Sequence, residues 1–456
     1  MTEAAKLKLT HETAIPAARS RSAAAAVAAP VALRWLSVIV AAGTLLIPLV
    51  MSLTGQDPFR YPKELALRAE VILLVMALAA GWGFTRAGLP RIPWRERWLL
   101  LVAAIAAWTV LCALVSTNRL VSLPPAVRVL EYALLFVVTV VTMRGRPAWM
   151  AGLLVPPAIV NAVVYLLQEF EVWSPFKTSV ELGTHIARTA LLGNPNEVGS
   201  YLVAPAVVAA ALALSQKRWR AAAWGAAAAL LVTAIVATHT LGAILAIVAT
   251  LPVMLALRLR SWRTTLIAVA AMIALAVVVA AKYQPLRDRT ATMRTAWAKR
   301  DYETLSSSRV IPFFTALQMT RDRPLTGVGP GCFAYHFFDY KVRAQSEHRW
   351  MFGPGITVEN YGEVHNDHLQ VLSETGLPGY ALFLAALVLL ARPSLRRQAA
   401  DAGDAARGRR EFVRLTALPL AVSMAVLALA QFPLEVVASA HAYLWAAAMV
   451  VAWKDS

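Results

Sequence analysis

The chain has 456 residues, 59% hydrophobic against 15% charged, with a mean hydropathy of +0.58, values that exclude an ordinary soluble globular domain. A formal net charge of +18 invites a nucleic-acid reading, but the basic residues gather in the breaks between apolar stretches, as they do along membrane surfaces. The two cysteines, Cys112 in an apolar stretch and Cys332 in a polar one, offer neither metal-ligand spacing nor an evident bridge.

A bilayer core of about 30 Å takes roughly 20 apolar residues per helix. Stretches of that kind lie near 32–53, 64–84, 98–116, 125–143, 149–170, 197–214, 219–237, 241–257, 264–281, 366–391, 414–431 and 434–452. The expected fold class is therefore all-α, a polytopic membrane protein with about twelve transmembrane helices. Residues 1–30 carry Lys6, Lys8, Arg19 and Arg21 beside an Ala-rich run; the apolar stretch that follows is too long for a signal-peptide core, so these residues read as a disordered cytoplasmic tail before a retained helix. Residues 31–281 hold transmembrane helices 1–9, 282–365 a large polar loop, and 366–456 helices 10–12 with a basic linker at 392–413. With the N-terminus inside, the inside segments at 86–97, 144–146, 217–220, 258–263 and 392–414 are rich in Lys and Arg, whereas the short outside segments are poor in them. This positive-inside bias puts both termini in the cytoplasm and the 282–365 loop outside.

That loop is too long to be a mere connection and too aromatic to be featureless, with Trp297, Phe313, Phe314, Phe333, Tyr335, Phe337, Phe338, Tyr340, Trp350 and Phe352 available to pack onto the membrane domain. Ser306 to Ser308 are placed to cap a helix running to about Arg321, which Pro324 and Gly327 would end.

Three segments carry chemistry, all mapped to the outside face. In chain order, the first contains Arg188 and then Gly193-Asn194-Pro195-Asn196-Glu197; Asn-Pro-Asn is a turn and helix-cap signal, so Asn194 and Asn196 read as structural. The second holds Ser308-Arg309 and then Pro324-Leu325-Thr326-Gly327-Val328-Gly329-Pro330-Gly331-Cys332-Phe333. Arg309 suits a diphosphate, because a guanidinium donates bidentate hydrogen bonds and stays charged; the run with Gly327, Gly329 and Gly331 lacks the strand-then-helix setting of a nucleotide fingerprint and reads as a tight turn. The third is Glu363-Val364-His365-Asn366-Asp367-His368-Leu369-Gln370, running into Glu374-Thr375-Gly376-Leu377-Pro378-Gly379. A histidine at the mouth of a span, neutral near its usual pKa of about 6.5, can take a proton from an attacking hydroxyl. Asn366, Asp367 and His368 cluster beside it, and Glu363, Asp367 and Glu374 are each candidates to orient its ring.

An Asn-Pro-Asn turn entering a helix, an Arg upstream of the Gly-rich turn, and His-Asn-x-x-Leu-Gln followed by Glu-x-Gly-Leu-x-Gly occur here in the order that resembles the O-antigen ligase and polymerase family. The resemblance implies a GT-C-like membrane glycosyltransferase of the inner membrane, acting on the periplasmic face without cofactor or metal. Its donor would be a glycan on polyprenyl (undecaprenyl) diphosphate, and its acceptor a hydroxyl of the lipid A core or another surface glycan. It further implies His365 as general base, Arg309 as a diphosphate contact and Arg188 as a second basic residue, with inversion at the anomeric carbon. Many relatives carry Ser-Arg-Gly at a short outside hairpin where this chain reads Thr238-His239-Thr240-Leu241-Gly242. His239 there is either a substitute phosphate contact or a satisfied interfacial histidine, and Lys282 and Arg287 are further candidate cations. A polymerase of the same family fits the same motifs. A membrane solute transporter fits less well, because transport sites lie near the midplane and these polar clusters lie at one face.

Overall fold

Inside a bilayer the backbone has no water to bond, so each long apolar run must satisfy its own N–H and C=O groups as a helix. A computed structural model describes residues 33–52, 57–85, 95–174, 188–259, 261, 263–264, 266–267, 270, 284–306, 309–352, 360–395 and 404–454. Among these, every regular element is helical. In the first part of the chain α1 spans Leu33–Leu46, followed by α2 (Arg60–Thr85), α3 (Arg97–Leu114), α4 (Arg119–Met143), α5 (Val155–Glu169), α6 (Pro195–Ser215), α7 (Arg218–Ala237) and α8 (Leu241–Leu259). The polar segment forms α9 (Gln284–Lys299), α10 (Tyr302–Ser306), α11 (Val310–Asp322), α12 (Cys332–Glu347) and α13 (Arg349–Phe352), and the chain ends in α14 (Asp367–Leu395), α15 (Asp404–Leu427) and α16 (Val437–Trp453).

Helices stand at all the apolar stretches of the sequence except 264–281, which falls mostly outside the described residues together with the tail 1–30 and much of the 392–413 linker. Among the described residues, seven helices are long and apolar enough to cross a membrane: α3, α4, α5 with the 3-10 turn before it, α6, α7, α8 and α14. Helix α2 is not among them; Arg60, Lys63, Glu64, Arg68 and Glu70 crowd its first three turns.

At the centre lies α6, which is buried nearly all round by α7, α8, α15 and α16. Its Ala204, Ala206, Ala209 and Ala211 are almost fully covered, small residues of the kind that let helix backbones approach in a membrane. Helix α16 is similarly enclosed, with Trp445 and Trp453 inside.

The polar segment packs through a small separate core of Ile311, Met319, Val328, Cys332, Phe333, Phe337 and Val364. Among its described aromatic side chains only Phe333 and Phe337 are buried, while Trp297, Tyr335, Phe338 and Trp350 are exposed. The reason is helical spacing: Phe333 and Phe337 share one face of α12, and Tyr335 and Phe338 turn away from it. Helix α11 begins where Ser306 Oγ accepts from the N–H groups of Arg309 (3.0 Å) and Val310 (3.1 Å).

Two glycines join this segment to α14. Val328 N–H donates to Ser373 O (2.9 Å), Gly329 N–H to Glu374 O (3.1 Å) and Leu377 N–H to Pro324 O (2.8 Å). Gly327 (φ 65°) and Gly376 (φ 69°) both adopt the left-handed region, and a Cβ on either would meet the other segment's backbone at 2.3 Å and 2.2 Å respectively. Only glycine permits both the conformation and the approach. Cys112 and Cys332 are buried free thiols.

Candidate active site

The His365 segment is held from both sides. Val364 N–H donates to Gln370 Oε1 (2.7 Å). Asn366 caps α14 by accepting from Leu369 N–H (3.0 Å) and donates to Leu429 O (3.0 Å). Asp367 accepts from Leu434 N–H (2.9 Å), and its own N–H donates to Ala428 O (2.9 Å). The residues around His365 thus brace the 428–436 turn between α15 and α16. His368 points away into the helices: its Nε2 donates to Ala425 O (2.9 Å), so its Nδ1 accepts from the Tyr380 hydroxyl (3.2 Å).

His365 differs from these neighbours. Its backbone is left-handed (φ 59°), a region unusual for a non-glycine residue. Its ring lies edge-on to Phe432 (4.7 Å between centroids) and Tyr361 (5.9 Å). Nδ1 is buried with no hydrogen-bond partner among the described residues, and a buried polar atom left in this way calls for an explanation. Burial first, then the nearby Arg309 charge, with a smaller push from Arg60 and an opposing pull from Glu363, lowers its pKa to about 4. The imidazole is neutral at any ordinary pH.

Beside it stands an arginine that none of the three sequence motifs contains. Arg60, the first residue of α2, donates from Nε (3.0 Å) and Nη2 (2.9 Å) to Glu197 Oε1, and from Nη1 to Glu363 Oε1 (2.7 Å). Its guanidinium lies 5.6 Å from the centre of the Phe432 ring, the same ring that meets His365. Asn194 caps α6 by accepting from Glu197 N–H (3.0 Å), and its side-chain amide donates to Glu197 Oε1 (2.9 Å). The Asn-Pro-Asn turn therefore aims Glu197 at Arg60. Lys63, one turn into α2, donates to the carbonyls of Val50, Phe59 and Leu191. Below lies a cavity of about 100 Å³, walled by Arg60, Lys63 and Arg128 and by Glu64, Glu197, Glu363 and Glu435.

Arg309 approaches from α11, with Nη1 donating to Ala430 O (2.5 Å) in the turn that carries Phe432. Arg188 and His239 lie together on a different carboxylate: Arg188 Nη1 is 2.9 Å and His239 Nε2 3.8 Å from Glu169. Asn196 Oδ1 faces Thr240 Oγ1 (3.4 Å) and Gln431 Nε2 (3.5 Å). Glu374 is engaged at the Gly-rich turn, accepting from Gly331 N–H (2.8 Å), Phe333 N–H (3.3 Å) and Gln370 Nε2 (2.7 Å). Lys282 and the side chain of Arg287 lie outside the described residues. Arg128, which stands three residues from Glu131 and could have paired along its own helix, reaches across to Glu435 instead (3.5 Å). Among the described residues no three His, Cys, Asp or Glu side chains group as metal ligands.

Sequence reasoning missed Arg60, Glu197 and Phe432. The signal for Arg60 was present in the charges crowding the start of an otherwise apolar stretch, since ionisable residues at a span mark functional sites by default.

These features define a polytopic all-α membrane protein whose distant segments meet in a charged site at one end of the helix bundle. Residues 226–384, about a third of the chain, match the family described as O-Antigen ligase. This match supports the family resemblance carried by the motifs. Members of that family are glycosyltransferase-like ligases and polymerases. The match contains Arg309, the Gly-rich turn and His365, whereas Arg60, Arg188 and Glu197 lie before it. No curated protein matches the chain.

Proposed function

We propose that the protein is an O-antigen ligase-like glycosyltransferase that moves a glycan from a polyprenyl diphosphate donor to an acceptor hydroxyl at the periplasmic face of the inner membrane. The observation that carries this reading is a neutral His365 set beside two arginines, inside a domain of the ligase family. A diphosphate is already a good leaving group and needs charge neutralisation more than an acid. Arg309 supplies it, and Arg188 and His239 can add to it only by giving up part of Glu169.

His365 acts as general base on the acceptor hydroxyl, which then attacks the anomeric carbon in line and inverts it. With a resting pKa of about 4 the ring is available but weakly basic. Binding of the anionic donor neutralises the arginine charge that contributes to that depression, so the ring becomes a stronger base when a substrate is in place. Asn366, Asp367 and His368 fix the backbone around the base.

The test is transfer from a polyprenyl diphosphate glycan to candidate acceptors by purified protein, with and without a chelator. Product on a lipid A core acceptor, unaffected by the chelator, is the expected result; extension of the donor glycan by repeat units would identify a polymerase. No transfer to either acceptor would reject the reading.

A further inference from the structure

The hairpin where many relatives place an arginine carries His239 here, and His239 and Arg188 both face Glu169. Arg60 is differently situated. Its inner edge, Nε and Nη2, is fixed by Glu197, a carboxylate only 4% exposed and itself held by Asn194. Its outer Nη1 meets Glu363, which is 25% exposed and two residues from His365 in a coil segment. One carboxylate aims the guanidinium, and the other sits where an incoming anion would sit. The planar fork has one edge to spare for a phosphate as soon as Glu363 moves aside. Phe432 lies against both the guanidinium and the imidazole, so an anion on that edge is held next to the proposed base.

We propose that Arg60 is a phosphate-binding residue of this site, oriented by Glu197, and that Glu363 occupies the phosphate position until the lipid-linked donor displaces it. This rests on the diphosphate-donor reading above and names a contact the family motifs do not contain. A donor phosphate entering at Nη1 displaces Glu363, and the guanidinium passes from one anion to another without being left unpaired. Displacement also shifts the 360–366 segment, so donor binding and the placement of His365 become linked.

Two substitutions separate this from a purely structural ion pair, because they act in opposite directions. Inorganic pyrophosphate is titrated into purified wild-type, Arg60→Gln, Arg60→Lys and Glu363→Gln proteins in detergent, and the donor KM and kcat are measured in parallel. Arg60→Gln loses a charge-assisted hydrogen bond and should weaken pyrophosphate binding and raise the donor KM about tenfold or more; Arg60→Lys, which keeps the charge without the fork, should fall between. Glu363→Gln removes the competing anion and should tighten pyrophosphate and lower the donor KM by roughly threefold, on the scale of an exposed charge pair. A structural ion pair would instead make Arg60→Gln and Glu363→Gln lose binding alike. That result, or unchanged pyrophosphate affinity in Arg60→Gln, overturns the proposal. Should Arg60→Gln fail to fold, the sign of the Glu363→Gln effect still decides. Wild-type protein that binds pyrophosphate in this order but transfers no glycan would contradict the enzymatic reading and leave the anion site standing.

Discussion

The two ends of the helix bundle use charge differently. At the end bearing His365, charged side chains are paired between different segments: Arg60 with Glu197 and Glu363, Arg128 with Glu435, Arg188 with Glu169. At the other end Glu96 takes both Arg144 (2.5 Å) and Lys454 (3.2 Å), and Arg414 pairs with Glu411 one turn away on its own helix. Pairing there gathers two cations on one carboxylate, with Lys454 reaching Glu96 over 358 residues, or stays within one helix turn, and none of these groups acts on His365. At the site end one cation, Arg60, is instead held by two carboxylates 137 and 303 residues away and acts on His365, and such fixing of individual groups is the arrangement chemistry requires.

The largest effect expected from breaking this contrast is at His365. His365→Asn keeps a residue that tolerates the left-handed backbone, so the loss is chemical; transfer should fall by about 10²–10⁴-fold with insertion and helix content unchanged. Near-normal turnover in a purified His365→Asn protein would remove the base. Next comes Arg309→Ala, for which we expect the donor KM to rise roughly tenfold or more, measured by varying the donor at saturating acceptor.

The pH dependence sharpens the same point. The free protein keeps His365 neutral down to about 4, so kcat/KM should hold its plateau well below pH 6.5, while kcat, which reports the donor complex, should decline at a higher pH. Stability follows the same group. The unfolded chain takes up a proton near 6.5 and the folded one does not, so stability is full above about 6.5 and falls as the pH drops toward 4. Coincident acid limbs in kcat and kcat/KM would show that donor binding does not reach the imidazole.

A smaller effect is expected at Glu374→Ala, which leaves the N–H groups of Gly331 and Phe333 without their acceptor and should cost about 1–3 kcal/mol of stability in a denaturation assay. The smallest is at the opposite end. Glu96→Gln should change stability by no more than about 1 kcal/mol and leave transfer untouched; a loss of activity there would erase the distinction between the ends.

Much of this was legible in the sequence. The apolar runs gave the helices, and Asn194 and Ser306 marked helix starts that the structure shows capped. The site was legible in part. Motif order brought out His365 and Arg309, because each lies beside local turn signals. Arg60 is marked only as one of several charges at the start of α2 and Phe432 not at all, and their importance comes from contacts over 303 residues to Glu363 and from rings that meet only in the folded chain. Asp367, His368 and Glu374 look alike in sequence as polar neighbours of His365, and only the fold separates them: the first braces a turn, the second binds within the helices and the third holds the Gly-rich turn.

Sidedness is the claim on which the rest depends, and labelling tests it directly. Single cysteines at exposed Gly362 and exposed Arg95 can be read against buried Cys112 and Cys332 with a membrane-impermeant maleimide. The account predicts that position 362 reacts in spheroplasts and position 95 only in inverted vesicles. Labelling of both positions from the same side of the membrane would contradict it.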